Sequence, residues 1–553
     1  MEIPKSDQEK FSLYERVLDD CFTTRESRKA QYNRLRLFYL YGTDNGDTDT
    51  TYNKIYPHID QLISFMYSNE TTKFSVNIGA GSHDVELKRT PVLGRAVNDA
   101  WHSSNGDITF ENGLEWAHVF GTMIHKQRWH RGSVECFNVA PHDFGVLRED
   151  ISQLSRQEAY AQKYYMTKSE LERELKVTEN PRRGAIIDAL TAGAKPPDRG
   201  GETMGNLIIS SQLPVGSGGY ASGSYDGSVS SPAMYNPRVS ADLVEMTELY
   251  IYDNEIEDFR IVTLCDPYMV VYDRPIDRFF IPGESPFTQI CPVPDPGYFW
   301  GRSEVDGLIP LQLMRNERMG QIRRMMDKQA SPPTALAGFP GITDEMKLAL
   351  DSPAGFVVSE TPSAKVERLA PQIPEDLFAE IRQIDEMFAE RSGISNVLSG
   401  KGESGVRTKG QTNSLATFGS SRVKKRALVV EDALEKIATL YLQMMMRYDD
   451  KKEYLDEDGT LFSASQFTKD FVVKVDAHSN SPIFSEDITE KAQMLLKNRA
   501  ITRARFVEML SPPNEQLIVQ ELKTKIEPAE ARAQAAKAAQ QSQGGKVQKL
   551  RQG

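Results

Sequence analysis

Three long helical stretches in the second half of the chain constrain its fold more than any other feature. The longest begins near Thr412 and continues to about Arg447. At 1.5 Å per residue it would span on the order of 50 Å, which crosses a whole domain. Its apolar residues recur at alternating four- and three-residue steps, which predicts one continuous buried stripe. The stripe comprises Val423, Ala427, Val430, Leu434, Ile437, Tyr441 and Met444.

The two other stretches flank a small module. The first runs from Arg302 to Gln329, and the Pro-Pro pair at 332–333 ends it. The second starts after Pro374, with acidic residues in its first turn and Gly393 as its carboxyl-terminal cap. Between them we expect a short helix after Thr343 and two strands, at 355–360 and 364–369. Apolar residues form a face on each helix: Met319, Ile322 and Met326 on the first, and Leu377, Ile381, Ile384 and Phe388 on the second.

The amino-terminal half has a mixed pattern. Three- and four-residue apolar spacing predicts helix over 5–41, 84–101 and 110–125, whereas alternation predicts strands at 73–78, 133–139, 243–252 and 260–264. Residues 192–237 are dominated by Gly, Ser and Pro, which bury too little apolar area to offset the entropy of ordering. We therefore predict a helix-rich α+β protein with a flexible excursion at 192–237.

Composition excludes several protein classes. The chain of 553 residues contains no apolar run near the roughly 18 to 20 residues of a membrane span, and its start is too polar for a secretory signal. Four widely spaced cysteines favour free buried thiols over disulfides or a zinc site. A formal charge of −12 argues against general coating of nucleic acid.

Two glycine-rich segments resemble nucleotide-binding motifs but lack the residues that such motifs need. In the segment from Gly400 to Thr408, Val406 occupies the position of the lysine that grips phosphate in a P-loop. The segment from Gly216 to Ala221 lacks the strand and helix that give a dinucleotide fingerprint its shape. We expect neither segment to bind a nucleotide.

The histidines and hydroxyl residues also predict no active site. His118, His125 and His130 are the only close group, and on one helix the first two would be too far apart for one metal ion. We expect them to pack beside Trp116 and Trp129. No Gly-x-Ser-x-Gly elbow is present. The sequence predicts no catalytic residue, no metal site and no cofactor.

A local concentration of positive charge stands out in this acidic chain. From 401 to 426 there are seven basic residues and one acid, Glu403, and glycines would allow the loop to approach a backbone closely. The alternative is a solvated charge run without function. The basic residues are Lys401, Arg407, Lys409, Arg422, Lys424, Lys425 and Arg426.

The order of these elements resembles the portal proteins of tailed bacteriophages. These proteins insert a helix, a small α/β module, a second helix, a mobile basic loop and a very long helix into an α+β body. Loose sequence motifs carry the same resemblance, which covers about residues 5–510. They are Asn53 to Ile78, Val134 to Gly145, and Pro286 with the run from Gly301 to Gln312, followed by Asn316.

The resemblance implies a portal-type fold with wing, stem, clip and crown regions. The implied boundaries are wing 1–300 and 450–512, long wing helix 413–449, stem helices 301–330 and 374–393, clip 331–373, tunnel loop 394–412, and crown or tail 513–553. The implied DNA-facing residues are Lys401, Arg407 and Lys409 in the tunnel loop. Charged stem residues, Arg315, Arg318, Arg323, Arg324 and Lys328, would pair between subunits, and Phe339, Pro340 and Gly341 would form a docking turn on the clip.

The implied function is structural. Such a protein forms a homo-oligomeric ring, a dodecamer, at one capsid vertex of the virion, after assembly in the host cytoplasm and without membrane association. Its partners would be viral double-stranded DNA, the terminase large subunit, the major capsid protein and scaffold, and neck or adaptor proteins. The apolar stripes of the long helices are also expected to exceed what one subunit can cover, which favours a ring. The alternatives are a nucleic-acid-processing motor or nuclease subunit, and a monomeric structural adaptor.

Overall fold

The structure, a computed structural model, describes most of the chain between its amino terminus and residue 476. The described residues are 1–44, 52–67, 72–78, 84–130, 132–177, 180, 182–193, 243–265, 269–278, 280–330, 332, 334–337, 341, 343–351, 365–368, 372–392, 421–449, 452–455, 460–466, 471–476, 492–498, 500–503, 506–507, 518 and 522. The predicted excursion at 192–237 lies outside them, apart from its first two residues. The chain divides into two units, one of residues 1–63 and 74–474 and one of residues 64–73 and 475–553.

The helices include the three long stretches that the sequence predicts. Their bounds are α1 Asp7–Phe22, α2 Arg25–Tyr41, α3 Ile55–Met66, α4 Asp84–Ser103, α5 Gly106–Phe120, α6 Lys168–Val177, α7 Arg183–Gly193, α8 Glu304–Ala330, α9 Asp344–Asp351, α10 Glu375–Ser392 and α11 Ser421–Tyr448. Residues 492–497 of the second unit are also helical.

The strands form small sheets, most of them antiparallel. Their bounds are β1 Lys73–Ile78, β2 Met123–His130, β3 Ser133–Val139, β4 Phe144–Val146, β5 Ala159–Thr167, β6 Leu243–Asp253, β7 Asp258–Cys265, β8 Met269–Pro275, β9 Phe287–Ile290, β10 Thr334–Ala337, β11 Lys365–Arg368, β12 Glu453–Leu455, β13 Leu461–Ser463 and β14 Phe471–Asp476. The largest sheet has the order β4-β5-β6-β7-β8, and a second has the order β3-β2-β9. The prediction of a mixed helix and sheet protein is therefore confirmed.

Helices pack on the five-stranded sheet of the first unit and form two hydrophobic clusters with it. From α1, Tyr14, Leu18 and Cys21 pack against Leu249 and Val262 of the sheet. Helices α6 and α7 pack on the same sheet. They contact Val244 and Met246 of β6 and Cys265 of β7. All four cysteines are free, as predicted.

The long helix α11 is buried along the predicted stripe. Its seven stripe residues are each at most 1% exposed. One of them, Tyr441, packs on Trp101 with the two ring centroids 5.6 Å apart. Because the first unit itself covers this stripe, our expectation that a neighbouring subunit must cover it was wrong for α11.

Two predicted helices differ from the structure. The helix predicted over 5–41 is divided at Thr23 and Thr24 into α1 and α2. The helix predicted over 110–125 ends at Phe120, because Gly121 has a φ of +89°. Only a glycine fits there, since a Cβ would clash with the carbonyl oxygen of Gly301. The chain then enters β2, so His125 lies on a strand and not on a helix with His118.

Candidate functional site: a helical hairpin and its attachment

The helices α8 and α10 form an antiparallel hairpin. Their facing residues meet at three levels. From one level to the next, the residue on α8 lies further along that helix, whereas its partner lies closer to the start of α10. We call these three levels the aligning contacts. They are Gly307 beside the guanidinium of Arg391, Arg315 Nε donating to Asp385 Oδ1 at 3.0 Å, and Arg318 Nε paired with Glu380 Oε2 at 2.8 Å.

The hairpin continues into the small module between its helices. Strands β10 and β11 pair antiparallel, with Thr334 opposite Arg368 and Ala337 opposite Lys365. Helix α9 lies between them in the chain and carries Leu348, which is 74% exposed. The predicted short helix and the strand at 364–369 are confirmed, whereas the strand predicted at 355–360 lies outside the described residues.

The start of α8 is attached to the body of the first unit by polar contacts. Ser303 Oγ donates to the Val119 carbonyl at 2.6 Å, and the amide of Gly301 donates to Thr122 Oγ1 at 2.8 Å. Buried Gln312 accepts a hydrogen bond from the amide of Lys54 at 3.0 Å. Two of the motifs that carry the resemblance, the one beginning at Asn53 and the run up to Gln312, therefore meet in space.

The long helix α11 is attached to both helices of the hairpin. Arg426 pairs with Glu304 at the start of α8 at 2.5 Å, with side chains 13% and 12% exposed. Arg422 donates to the carbonyl oxygens of Glu390 and Arg391 at 3.1 and 3.5 Å, near the end of α10 where helix carbonyls lack partners within the helix. At this end of the basic run, Arg422 and Arg426 are therefore structural attachments, whereas Lys425 is exposed.

The Arg426–Glu304 pair is costly to bury. Burial raises the pKa of Glu304 and lowers the pKa of Arg426, although each group opposes the other's shift. Among the described residues, Nη1 of Arg426 is buried without a hydrogen-bond partner. Both shifts disfavour the charged forms, so the desolvation of the two groups exceeds their attraction.

Two histidines near this pair stay neutral. Burial, followed by the charge of Arg426, lowers the pKa of His118 to about 3 and that of His58 to about 4. His125, on β2, is hydrogen-bonded to Asn138 at 3.1 Å, and burial lowers its pKa to about 4. His118 and His125 are both buried, but the aromatic rings beside His125 are Trp101 and Phe110, not the predicted Trp116 or Trp129.

The five charged stem residues divide into two groups. Arg315 and Arg318 take part in the aligning contacts within one chain, and Arg315 is only 7% exposed. Arg323, Arg324 and Lys328 lie further along α8 and are exposed. The exposed residues Arg323, Arg324 and Lys328 can therefore pair with a neighbouring subunit as predicted, whereas buried Arg315 cannot.

The other predicted site residues are described only in part. Gly341 is exposed, and a Cβ there would have open space around it. Phe339 and Pro340 lie outside the described residues, as do the tunnel-loop residues Lys401, Arg407 and Lys409.

Several residues of the hairpin were not predicted. They are the acidic partners Glu304, Glu380 and Asp385, and the attachment residues Arg422 and Arg426 in this role. The acidic first turn and the basic run were visible as charges in the sequence, but the partners are 31 to 122 residues apart. Nothing in local spacing indicates such pairs.

The described residues give no sign of a metal site or a membrane span. Within these ranges, no group of three or more His, Cys, Asp or Glu side chains could hold a metal ion. No helix of the described part of the chain is both long and apolar enough to cross a membrane.

Two solved structures from gene transfer agent (GTA) particles are similar to the chain at very low identity. One, the neck of a native GTA particle computed with C12 symmetry, is 9% identical with a TM-score of 0.38, and the match covers 87% of this chain and 92% of that chain. The other, the virion of a native GTA particle, is 10% identical with a TM-score of 0.40, covering 88% and 93%. No curated protein matches the chain.

A family profile covers most of the sequence. Residues 117–543 match the family described as phage SU10 portal protein. The matched range contains the hairpin, the module between its helices and the long helix α11. The chain therefore belongs to this family of phage portal proteins.

Proposed function

We propose that this portal protein forms a dodecameric ring at the unique capsid vertex of the virion, through which viral double-stranded DNA is packaged and later ejected. The observation that carries the proposal is the antiparallel hairpin of α8 and α10, which leads from the body of the first unit to the small module with β10 and β11. A module placed at the end of two helices can meet partners that the body cannot reach.

The proposed division of the chain follows the implied regions. The wing comprises 1–300 and 450–512 with the long wing helix 413–449, and the stem comprises 301–330 and 374–393. The clip is 331–373, the tunnel loop is 394–412 and the crown or tail is 513–553. The described bounds of α8, α10 and α11 fall within the proposed stem and wing-helix segments, which supports this division.

The proposed partners follow from the same division. The terminase large subunit, and later the neck or adaptor proteins, would dock on the clip. The major capsid protein and the scaffold would contact the ring during assembly in the host cytoplasm. DNA would pass the tunnel loop, where Lys401, Arg407 and Lys409 could each neutralise a phosphate without reading bases.

Portal proteins are structural, so this chain is not an enzyme. The runner-up class, an ATP-dependent motor subunit, can be excluded by an ATPase assay of the pure protein. We expect no magnesium-dependent ATP turnover above the background from contaminants. The Lys401→Ala variant should show the same background. Turnover lost in this variant would contradict the proposal.

The decisive experiment is native mass spectrometry together with electron microscopy of the purified protein. The proposal predicts closed rings with an axial hole and a mass of twelve subunits of 62.2 kDa each. A single monomeric species at micromolar concentration would overturn it and favour the monomeric adaptor.

A further inference from the structure

The two helices of the hairpin expose different charged faces on opposite sides. On α8, Arg324 lies about 200° around the helix from buried Ile322, at 100° per residue. On α10, Glu375 and Arg382 lie about 180° and 160° from buried Ile384. Ile322 and Ile384 lie on the sides where the hairpin closes, so these charges point outward from it.

Glu317 completes the outward face of α8. It lies about 200° around the helix from buried Arg315, and its side chain is 64% exposed. Its contacts are local: Gln321 donates to it at 3.2 Å, and Arg318 lies 4.0 Å away. Within the described residues, Arg324 and Glu375 have no hydrogen-bond or ion-pair partner.

The aligning contacts fix the relative heights of these charges. Glu317 lies between Arg315 and Arg318 on α8, and Arg382 lies between their partners on α10, so Glu317 and Arg382 are level. Arg318 on α8 is level with Glu380 on α10. Arg324 lies six residues after Arg318, and Glu375 lies five residues before Glu380. Because both helices rise about 1.5 Å per residue, Arg324 and Glu375 are at nearly the same level. At both levels the charges on the two outward faces have opposite signs.

We propose that Glu317 of one subunit pairs with Arg382 of the next subunit in the ring. In the same interface, Arg324 pairs with Glu375. The proposal rests on the ring proposed above, with the hairpin running along the channel, because rotation about the channel axis preserves height. It adds the surface by which a second copy is recognised and the vertical register of the contact.

We infer that a second copy of this chain binds these faces, because the charges on the outward face of α8 are complementary to those on the outward face of α10. A surface that fits a different surface of its copy makes a heterologous contact, which closes into a ring when the rotation closes. Exposed apolar side chains on the same helices would be covered alongside the charges. They are Leu313 and Met314 on α8, and Phe378 on α10, each 43–44% exposed.

Charge swaps test the register without changing the net charge. The α8 variant carries Glu317→Arg with Arg324→Glu, and the α10 variant carries Glu375→Arg with Arg382→Glu. Each variant alone would place like charges at both levels of every interface. We expect the protein concentration for half-assembly to rise roughly tenfold or more for each, since like charges across an interface are strongly unfavourable.

Mixing provides the sharper result. An equimolar mixture of the two variants should form rings in which they alternate, and one chain carrying all four changes should form rings alone. Both restore opposite charges at every level. Circular dichroism of each variant should match that of the unchanged protein because all four residues are exposed.

A matched control is Asp432→Lys with Lys436→Asp on α11. This swap also keeps the net charge, and the two residues form an exposed pair that lies outside the two outward faces. Native mass spectrometry should show rings for this variant at the concentration needed by the unchanged protein.

The register is overturned if the swapped variants assemble as readily as the unchanged protein. It is also overturned if neither the mixture nor the fourfold variant recovers rings. If the unchanged protein itself forms no ring, the proposed function fails, and the register fails with it. If the unchanged protein forms rings and both swapped variants form rings equally well, the register is wrong, but the proposed function still holds.

Discussion

Arg426 on the long helix α11 and Glu304 at the start of α8 form a buried ion pair, with 2.5 Å between Nη2 and Oε1. This pair joins the long helix to the helical hairpin. Arg422, one turn earlier on α11, holds the end of α10 through two carbonyl oxygens. The first turns of α11 therefore connect both helices of the hairpin to the body of the first unit.

Removing one member of this pair should be strongly destabilising. Arg426→Met would leave the Glu304 carboxylate buried without its partner, and we expect unfolding to become easier by about 3–5 kcal/mol. Replacing both residues, Glu304→Leu with Arg426→Met, should recover most of that loss, because the buried charge is then gone. Urea denaturation measures each free energy of unfolding.

A control on the same helix is Lys436→Ala, which breaks an exposed pair with Asp432. We expect a change within about 1 kcal/mol for this surface pair. Equal losses for Arg426→Met and Lys436→Ala would show that the Arg426–Glu304 pair is not the attachment described above.

The pKa of His118 predicts a loss of stability in acid. In the unfolded chain this histidine should have a pKa near 6.5, whereas burial lowers it to about 3 in the folded protein. As the pH falls below about 6.5, the unfolded chain gains a proton that the folded chain does not bind. The free energy of unfolding should therefore fall by about 1.4 kcal/mol per pH unit for this one residue, down to about pH 3.

His118→Leu should remove this part of the pH dependence. Both ring nitrogens of His118 lack hydrogen-bond partners within the described residues, so the variant loses no such bond there. The difference in unfolding free energy between variant and unchanged protein should be constant above pH 7 and grow in favour of the variant below it. A difference that does not change between pH 7.5 and 5 would contradict the assignment.

Local spacing in the sequence was enough to predict the long elements. The stripe of α11 repeats over six steps, and the structure buries all of its residues. The bounds of α10 were also predicted within a residue, because Pro374 and Gly393 flank it. These features depend on neighbours in the chain alone.

Strand β5 shows why other elements were missed. Ala159 and Ala161 face the α1 side of the sheet, whereas Tyr160 stacks on Tyr250 at 5.0 Å on the opposite side. Since both faces are covered, apolar and polar residues do not alternate, and the strand signal is absent. The end of α5 was missed although Gly121 is a local signal for it, because a glycine with a positive φ commonly ends a helix.

The candidate site was predictable only as far as its charges. The five basic residues of the first stem helix are visible in the sequence, but which of them are used within the chain is not. Arg315 meets Asp385 across 70 residues, and this contact exists only after the hairpin closes. The register proposed between subunits rests on these contacts and could not be derived from spacing.

The clip should carry the docking surface for terminase and adaptor proteins. Phe339→Ala with Pro340→Ala, and separately Gly341→Asp, should weaken binding of the purified terminase large subunit by roughly tenfold or more, as loss of a central anchor typically does. Ring assembly should be unchanged, which native mass spectrometry checks. Gly341 is exposed with open space around it, so the added carboxylate need not disturb the module.

Deletion of the tail from Ala529 is the companion experiment. We expect terminase binding to survive this deletion, because the tail belongs to the proposed crown. Loss of binding in the tail deletion, with full binding in the clip variants, would show that the two ends have been assigned the wrong way round.

The tunnel loop should hold DNA through collective weak contacts. Replacing Lys401, Arg407 and Lys409 with Ala removes three cations per subunit, and a ring multiplies this loss by the number of subunits. Contacts to phosphate are individually weak and screened by salt, so the defect should appear as loss of packaged DNA that grows as salt rises. Assembly should be unchanged, since none of the three belongs to an apolar stripe.

The matched control replaces Lys537, Lys546 and Lys549 in the tail, which removes the same charge elsewhere. Nuclease protection of packaged DNA over a salt series measures retention. Normal retention by the loop variant at every salt concentration would make the loop a solvated connector.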